Sequence, residues 1–324
     1  GIRLKNSQNR RKLLSNPTKR GSMRKLMAAV AVALLASMLA IVSSPAGAQS
    51  PTSPTTNRLS GADRYATAVA VARSQVGAAG PTTGLVIASG ESSADALSAA
   101  PLTSDTAPML LVPKDSIPES VTDFISDFKG VLASNTTAVY FMGGENAISA
   151  ANYTALTTAL TTAGDTTPPT FIRLAGADRY ATAALVAARS GMMLAADTLI
   201  VVSGESWADG ISAGVMSAES NYPIVLQTKT GNNASAKGTI DTYLAMTSSA
   251  KSFMIIGGES AIGTDTEEYL INTKGVPVAN IRRLHGADRY ATSLAVNKYL
   301  RATGAPYDNI AGVNTALVSG ESPW

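Results

Sequence analysis

The sequence predicts an α/β protein made of tandem small three-layer modules with parallel sheets, two complete and one truncated. One observation is a ten-residue block, Arg-Leu-x-Gly-Ala-Asp-Arg-Tyr-Ala-Thr, that occurs at 58–67, 173–182 and 283–292. The other is that short, continuously apolar runs alternate with helical patterns, as in strands buried on both faces of a sheet. With 324 residues, 45% of them hydrophobic, the chain is long enough to form several cores.

Two further landmarks recur and fix the length of the repeat. Ser-Gly-Glu-Ser stands at 89–92, 203–206 and 319–322, and Gly-Gly-Glu at 143–145 and 257–259. A period of about 110–116 residues is too long for a solenoid repeat and suits a small domain. We therefore predict repeats at 58–168 and 169–278 and a partial third repeat at 279–324, with the modules packed on one another.

In the first repeat, each element follows from a local signal. Asp63 is a helix cap ahead of apolar residues at helical spacing. Pro101 stops an Ala-rich helix, and Pro118 with Glu119 suits the first turn of another. The predicted order is helix 64–75, strand 85–88, helix 93–104, strand 108–112, helix 118–128, strand 138–142 and helix 149–162. The matching strands of the second repeat are 199–202, 224–226 and 253–256.

The first 48 residues have the pattern of a secretory signal peptide with an extended basic region. They contain nine basic and no acidic residues, an uncharged apolar run at 26–42, and Ala-Gly-Ala at 46–48. The Pro, Ser and Thr content of residues 49–57 predicts a linker. We expect a secreted protein at the cell surface, without stable membrane insertion once the signal is cleaved.

The amino-acid composition limits the kinds of catalytic, metal-binding and nucleic-acid-binding sites that the chain can form. The chain has no Cys and a single His, His285, which excludes thiol chemistry and multi-histidine zinc sites. The net charge of +3 comes from the first 48 residues, because the rest carries 17 basic and 23 acidic residues. Without a basic stripe we expect no nucleic-acid binding. We predict neither a metal nor a cofactor.

The turns that follow the strands are candidate ligand positions. Ligands of parallel sheets bind beyond the carboxyl ends of the strands, where both Gly-containing landmarks lie. The hydroxyl of Ser92 or Ser93 could cap the next helix and leave N–H groups for a ligand, although such residues are also ordinary turn punctuation. The candidate residues are Ser89, Gly90 and Glu91, and Ser203, Gly204 and Glu205.

Acidic pairs are a weaker candidate site. Glu91 with Asp95, and Glu205 with Asp209, are four residues apart, which on a helix places both carboxylates on one face. Such a pair could bind a divalent cation or act as acid and base. A capping carboxylate and a surface pair explain the same residues, and we assign no catalytic residue.

The arginines and tyrosine of the tripled block are the most specific signal. They could lock a helix to the sheet, or they could form an outward-facing fork that binds carboxylate or phosphate groups. Three copies would then give avidity. The residues concerned are Arg58, Arg64, Tyr65, Arg173, Arg179, Tyr180, Arg283 and Arg289.

The block and the two Gly-containing turns closely resemble the cell-wall-binding repeat 2 family of secreted Gram-positive proteins. The resemblance implies Rossmann- or Toprim-like modules, usually three in a pseudo-threefold ring, that bind anionic wall glycopolymers without covalent attachment. It also implies a binding role for a Pro-Ile-Leu-Leu-like strand. That motif stands here as Pro108, Met109, Leu110 and Leu111, and as Pro223, Ile224, Val225 and Leu226.

The sequence thus predicts a non-catalytic module that anchors the protein to an anionic cell-wall glycopolymer or to peptidoglycan. Two alternatives stay open. A hydrolase of wall glycan or peptidoglycan would use the Glu/Asp pairs, and a surface-layer or adhesion scaffold would use the modules mainly to contact each other.

Overall fold

A computed structural model describes residues 58–81, 83–103, 107–135, 138–161, 168–189, 196–246 and 251–302. The predicted signal peptide, the linker and the third Ser-Gly-Glu-Ser lie outside these residues. Within them, no helix is long and apolar enough to cross a membrane.

The described residues form two four-stranded parallel sheets with nine α-helices. The elements of the first sheet are α1 Arg64–Val76, β1 Leu85–Ser89, α2 Ser93–Ser98, β2 Met109–Val112, α3 Glu119–Asn135, β3 Ala138–Met142, α4 Ala150–Leu160 and β4 Thr170–Leu174. Those of the second sheet and the start of the third repeat are α5 Arg179–Arg189, β5 Thr198–Ser203, α6 Ala208–Ser220, β6 Ile224–Gln227, α7 Ala234–Ala245, β7 Ser252–Ile256, α8 Asp265–Glu268, β8 Ile281–Leu284 and α9 Arg289–Ala302. The strand orders are β2-β1-β3-β4 and β6-β5-β7-β8.

The predicted α/β class with parallel sheets is confirmed, and the three strands predicted for each repeat are present. Each sheet also has a fourth strand that was not predicted, β4 and β8, which contains the Arg-Leu of the next copy's block. Helix α2 is shorter than expected, since the chain turns into a 3₁₀ segment, Ala100–Leu102. Helix α3 runs further than expected, to Asn135.

Helices cover both faces of each sheet. In the first, α1, α3 and α4 bury Leu85, Ile87 and Phe141 on one face, and α2 and α5 cover the other. In the second, α5 and α7 cover one face, and α6 and α9 cover the other. Burial on both faces explains why the central strands are apolar throughout.

Helix α5 belongs to the cores of both sheets. Val186 packs with Val86 and Ala88 of the first sheet, whereas Ala187 packs with Leu199 and Val201 of the second. We call this contact of α5 and the second Ser-Gly-Glu-Ser turn with α2 the first junction. The contact of α9 with α6 is the second junction, and there Val296 and Leu300 are buried.

Candidate functional site

The tripled block is, first of all, a helix cap. The Asp63 carboxylate accepts a hydrogen bond from the Ala66 N–H (2.8 Å), and the Thr67 hydroxyl accepts one from the Gly61 N–H (3.0 Å). Asp178 with Thr182, and Asp288 with Thr292, make the same two bonds in the other copies. A Cβ at Gly61 would overlap Ala66, so the sequence of the block follows from this turn.

The arginine and tyrosine after this cap hold the Ser-Gly-Glu-Ser turn of their own repeat. Arg64 Nη1 donates to the Gly90 carbonyl oxygen (2.6 Å), and Arg179 Nη1 donates to that of Gly204 (2.7 Å). The rings of Tyr65 and Tyr180 lie against these glycines, where a Cβ would collide with them. The arginines thus bond to backbone carbonyls, which supports the locking interpretation for part of each guanidinium.

The first arginine of the block has a different task, which sequence reasoning missed. Arg173 Nη1 donates to the Gly143 and Ile148 carbonyl oxygens (3.3 and 2.9 Å), so it fastens the Gly-Gly-Glu loop of the preceding repeat. Arg283 bonds in the same way to Gly257 and Ile262 and forms an ion pair with Glu267 (2.7 Å). Arg58 is exposed, at the start of the described residues.

The serine turns are closed by a different hydroxyl from the one predicted. Ser92 occupies the N-cap of α2 without a capping side-chain bond, and Ser93 is already helical. Instead, the Ser89 hydroxyl accepts from the Glu91 N–H (3.1 Å). In the second repeat, the Ser203 hydroxyl accepts from the N–H groups of Glu205 and Ser206 (both 3.1 Å). The capping role predicted for Ser92 or Ser93 was therefore wrong.

The predicted carboxylate pairs on one helix face are also wrong. Glu91 is exposed and precedes α2, whereas Asp95 lies within the helix and faces Thr182 and Arg179 of the next repeat. Burial raises the pKa of Asp95, and the Thr182 hydrogen bond and the Arg179 charge partly oppose that rise. Glu205 Oε2 accepts from the Lys229 N–H (3.1 Å) in a neighbouring loop. Among the described residues, no three His, Asp or Glu side chains gather as a metal site.

The strand motif lies mainly inside the sheets. Pro108 and Leu110 are buried, and Met109 and Leu111 are half-buried. The four residues of the second copy, Pro223, Ile224, Val225 and Leu226, are all buried. Leu226 also lines the cleft described next.

That cleft opens at the first junction and has a volume of about 40 Å³. One wall comes from α2 and the other from the second Ser-Gly-Glu-Ser turn, so two repeats build it together. Its lining consists of Ser93, Ala94, Leu97, Arg179, Ser203, Gly204, Glu205, Trp207 and Leu226. It offers a guanidinium, a carboxylate, hydroxyl groups and an indole ring within one concave surface, which suits a hydroxylated ligand with an acidic group.

Five of these residues were candidates from the sequence, namely Arg179, Ser203, Gly204, Glu205 and Leu226. Ser93, Ala94 and Leu97 were not among the candidates, because they reach the cleft only through packing between repeats. Trp207 was also missed, although it directly follows the second Ser-Gly-Glu-Ser turn. The matching turn of the first repeat, with Arg64, Tyr65, Ser89, Gly90 and Glu91, does not line this cleft.

Comparisons with known proteins agree with the repeat structure. The family model for cell wall binding domain 2 (CWB2) matches residues 58–153 and 173–267. The N-acetylmuramoyl-L-alanine amidase LytC of Bacillus subtilis (strain 168) is 26% identical over 268 residues, which are 82% of this chain and 49% of that protein. The chain therefore spans about half the length of this curated relative.

Two solved structures share the fold. Cwp8 from Clostridium difficile superposes with a TM-score of 0.61 at 27% identity, covering 74% of this chain and 37% of that one. Cwp6 from the same organism has a TM-score of 0.62 at 23% identity, covering 78% and 38%.

Proposed function

Because the chain belongs to the cell wall binding domain 2 (CWB2) family, we propose that it is a secreted, non-catalytic protein that attaches itself to an anionic glycopolymer of the cell wall. Wall binding and a location at the cell wall or surface follow from the family. The choice of polymer, the export step and the absence of catalysis are our proposal.

The observation that carries this proposal is the cleft at the first junction. Arg179 faces it with a planar guanidinium that can bind a carboxylate or phosphate group through two parallel hydrogen bonds. Glu205 offers acceptors for sugar hydroxyls, and the Trp207 ring offers an apolar surface. A glycopolymer with acidic groups presents all three chemistries along one strand.

Charge limits how such a polymer can be held. The residues after the predicted signal peptide carry more acidic than basic side chains, so the net field does not attract a polyanion from a distance. Attachment then depends on short-range contacts with single arginines, repeated along the chain. Several linked weak sites can hold a polymer firmly, because each bound site raises the effective concentration at the next.

The geometry of the acidic residues supports a non-catalytic role. Glycan hydrolysis needs two carboxyl groups on either side of the scissile bond. Here Glu91 is exposed, whereas Asp95 points into the contact between repeats, facing Thr182. The amidase relative nevertheless makes wall hydrolysis the activity to test against.

Sedimentation with protein-free walls tests the proposal. The full chain should sediment with walls of Bacillus subtilis strain 168, and removing phosphate-linked polymers with hydrofluoric acid should lower the bound fraction about fivefold or more, since the acidic groups are then lost. Equal binding to treated walls would make peptidoglycan itself the ligand. No sedimentation with either preparation would reject wall binding through these sites.

The turbidity of the same wall suspensions measures hydrolysis. We expect no fall over a long incubation, because the described carboxylates are not arranged as an acid and base pair. A fall that is lost in a Glu205→Gln variant would establish the hydrolase instead.

A further inference from the structure

The two junctions place the same residues of the repeat side by side, but with one difference. At the first junction, Ser93 at the start of α2 lies near Arg179, and both line the cleft. At the second junction, the same two positions hold Trp207 and Arg289. A small hydroxyl side chain is thus replaced by the largest side chain in proteins.

Trp207 contacts the arginine of the second junction directly. The Arg289 guanidinium lies over the indole ring, 5.7 Å from its centroid, which is within the range of a cation–π interaction. One face of the Arg289 guanidinium is therefore covered by an aromatic ring of its own protein.

We infer that the two junctions are not equivalent ligand sites: the first junction accepts the acidic group of a sugar unit at Arg179, and Trp207 closes the second by occupying the place of Ser93 and stacking on Arg289. This inference rests on the proposed wall-binding function and specifies which part of the molecule performs it. The residue at this repeat position, Ser93 at the first junction and Trp207 at the second, thus decides whether the junction binds the ligand.

The chemistry at Arg179 fits this division. One of its five N–H donors bonds to the Gly204 carbonyl oxygen (2.7 Å), and the guanidinium lines the cleft, with Asp95 of α2 close to it. Glu205 lies on the same wall, so an anionic group has to sit on the arginine side while hydroxyls face the carboxylate. This polarity selects a sugar unit with both groups over a bare phosphate.

Matched arginine variants test the inference in the full-length chain. Arg179→Ala should weaken binding to protein-free Bacillus subtilis walls about tenfold, whereas Arg289→Ala, the same substitution at the same repeat position, should stay within about twofold of the parent chain. Similar losses in both variants, or no loss in either, would overturn the inference.

A filling variant tests it without removing an arginine. Ser93→Trp should lower wall affinity about tenfold, and Trp207 itself shows that the repeat tolerates tryptophan at this position. Ser93→Ala keeps the space open and removes only one hydroxyl group, so it should lose much less affinity than Ser93→Trp. Val215→Trp, on an exposed part of α6, is the control for a bulky substitution away from the cleft.

Thermal unfolding of each variant separates lost folding from lost binding. Should Arg179→Ala fail to fold, the Ser93→Trp and Ser93→Ala pair decides. Wild-type-like binding by folded Ser93→Trp would overturn the inference while leaving the proposed function intact. Absence of binding by the parent chain would instead reject the proposed function.

Discussion

Gly90 and Gly204 are residues at which one added atom, a Cβ, would disrupt the packing. Each is the glycine of a Ser-Gly-Glu-Ser turn, and each contacts a tyrosine ring from the preceding helix of its own repeat. The carbonyl oxygen of the same glycine accepts the arginine bond. This position therefore connects the strand end with the capped helix in both repeats, and at Gly204 it is also part of the wall of the cleft.

Substitution of this glycine by alanine should destabilise the protein. In Gly204→Ala the new Cβ would overlap the ring of Tyr180, so the ring has to move, at a cost of about 1–3 kcal/mol in the free energy of unfolding. Urea denaturation measures this cost.

Gly238→Ala is the matched control for that prediction. Gly238 lies within α7, and its added Cβ would meet nothing within 4 Å. Because alanine favours the helix, this variant should gain about 0.5–1 kcal/mol. Equal effects of the two substitutions would argue against a steric role for the Tyr180 contact.

At the scale of elements, one side chain fastens the loop after β2. The buried Asn152 amide on α4 donates to the carbonyl oxygens of Pro113 and Ser116 (3.0 and 2.9 Å). The matching position after the Gly-Gly-Glu turn of the second repeat is Thr266, whose buried hydroxyl has no hydrogen-bond partner. The buried polar side chain at this position is thus hydrogen-bonded in the first repeat and unsatisfied in the second.

Substitutions at these two positions should have opposite effects. Asn152→Ala should lose about 2 kcal/mol of unfolding free energy, because buried carbonyl groups lose their donor. Thr266→Val keeps the shape and removes the unsatisfied hydroxyl, so it should be neutral or gain up to about 1 kcal/mol. Thermal and urea unfolding of both variants measure the difference, and a loss on Thr266→Val would show that its hydroxyl is bonded in solution.

The elements differ in how far the sequence could predict them. Strands β1, β2 and β3 were predictable because their residues are apolar on both faces of the sheet. Helix α1 was predictable because Asp63 is a typical N-cap residue. Strand β4, Thr170–Leu174, was missed because it is largely half-buried and contains Arg173. That arginine suggested a ligand residue or an ion pair, and its carbonyl partners in the previous repeat lie far away in the sequence.

The residues of the candidate site also differ in how far the sequence could predict them. The turn residues Ser203, Gly204 and Glu205 carry a local signal, since small and acidic residues follow an apolar strand. Ser93 and Leu97 carry none, because their neighbours in the cleft come from packing between repeats. Periodicity within one repeat cannot show which helix of the preceding repeat lies opposite.

At the scale of the whole molecule, helix α5 packs against both sheets. Val186 is fully buried against the first sheet, and Val296 occupies the same place on α9. Val71 is their counterpart on α1 and is 45% exposed. The position is a core residue wherever another repeat precedes it in the structure.

This contrast predicts different costs for one substitution at two equivalent sites. Val186→Ala should lose about 2 kcal/mol of unfolding free energy, since it leaves a cavity between the two sheets, whereas Val71→Ala should change stability by less than about 0.5 kcal/mol. Differential scanning calorimetry measures both. A Val186→Ala chain that unfolds like the parent would show that the repeats fold independently of this contact.

The strand that completes each sheet is encoded directly before the cap and helix that dock onto it. Thr170–Leu174 closes the first sheet, and the residues that follow it begin the helix that seats the second. Unequal crossing-over between two copies of the block therefore inserts or deletes one whole sheet together with the helix that packs it against its neighbour. Gene duplication can change the number of such units without any new contact surface having to evolve.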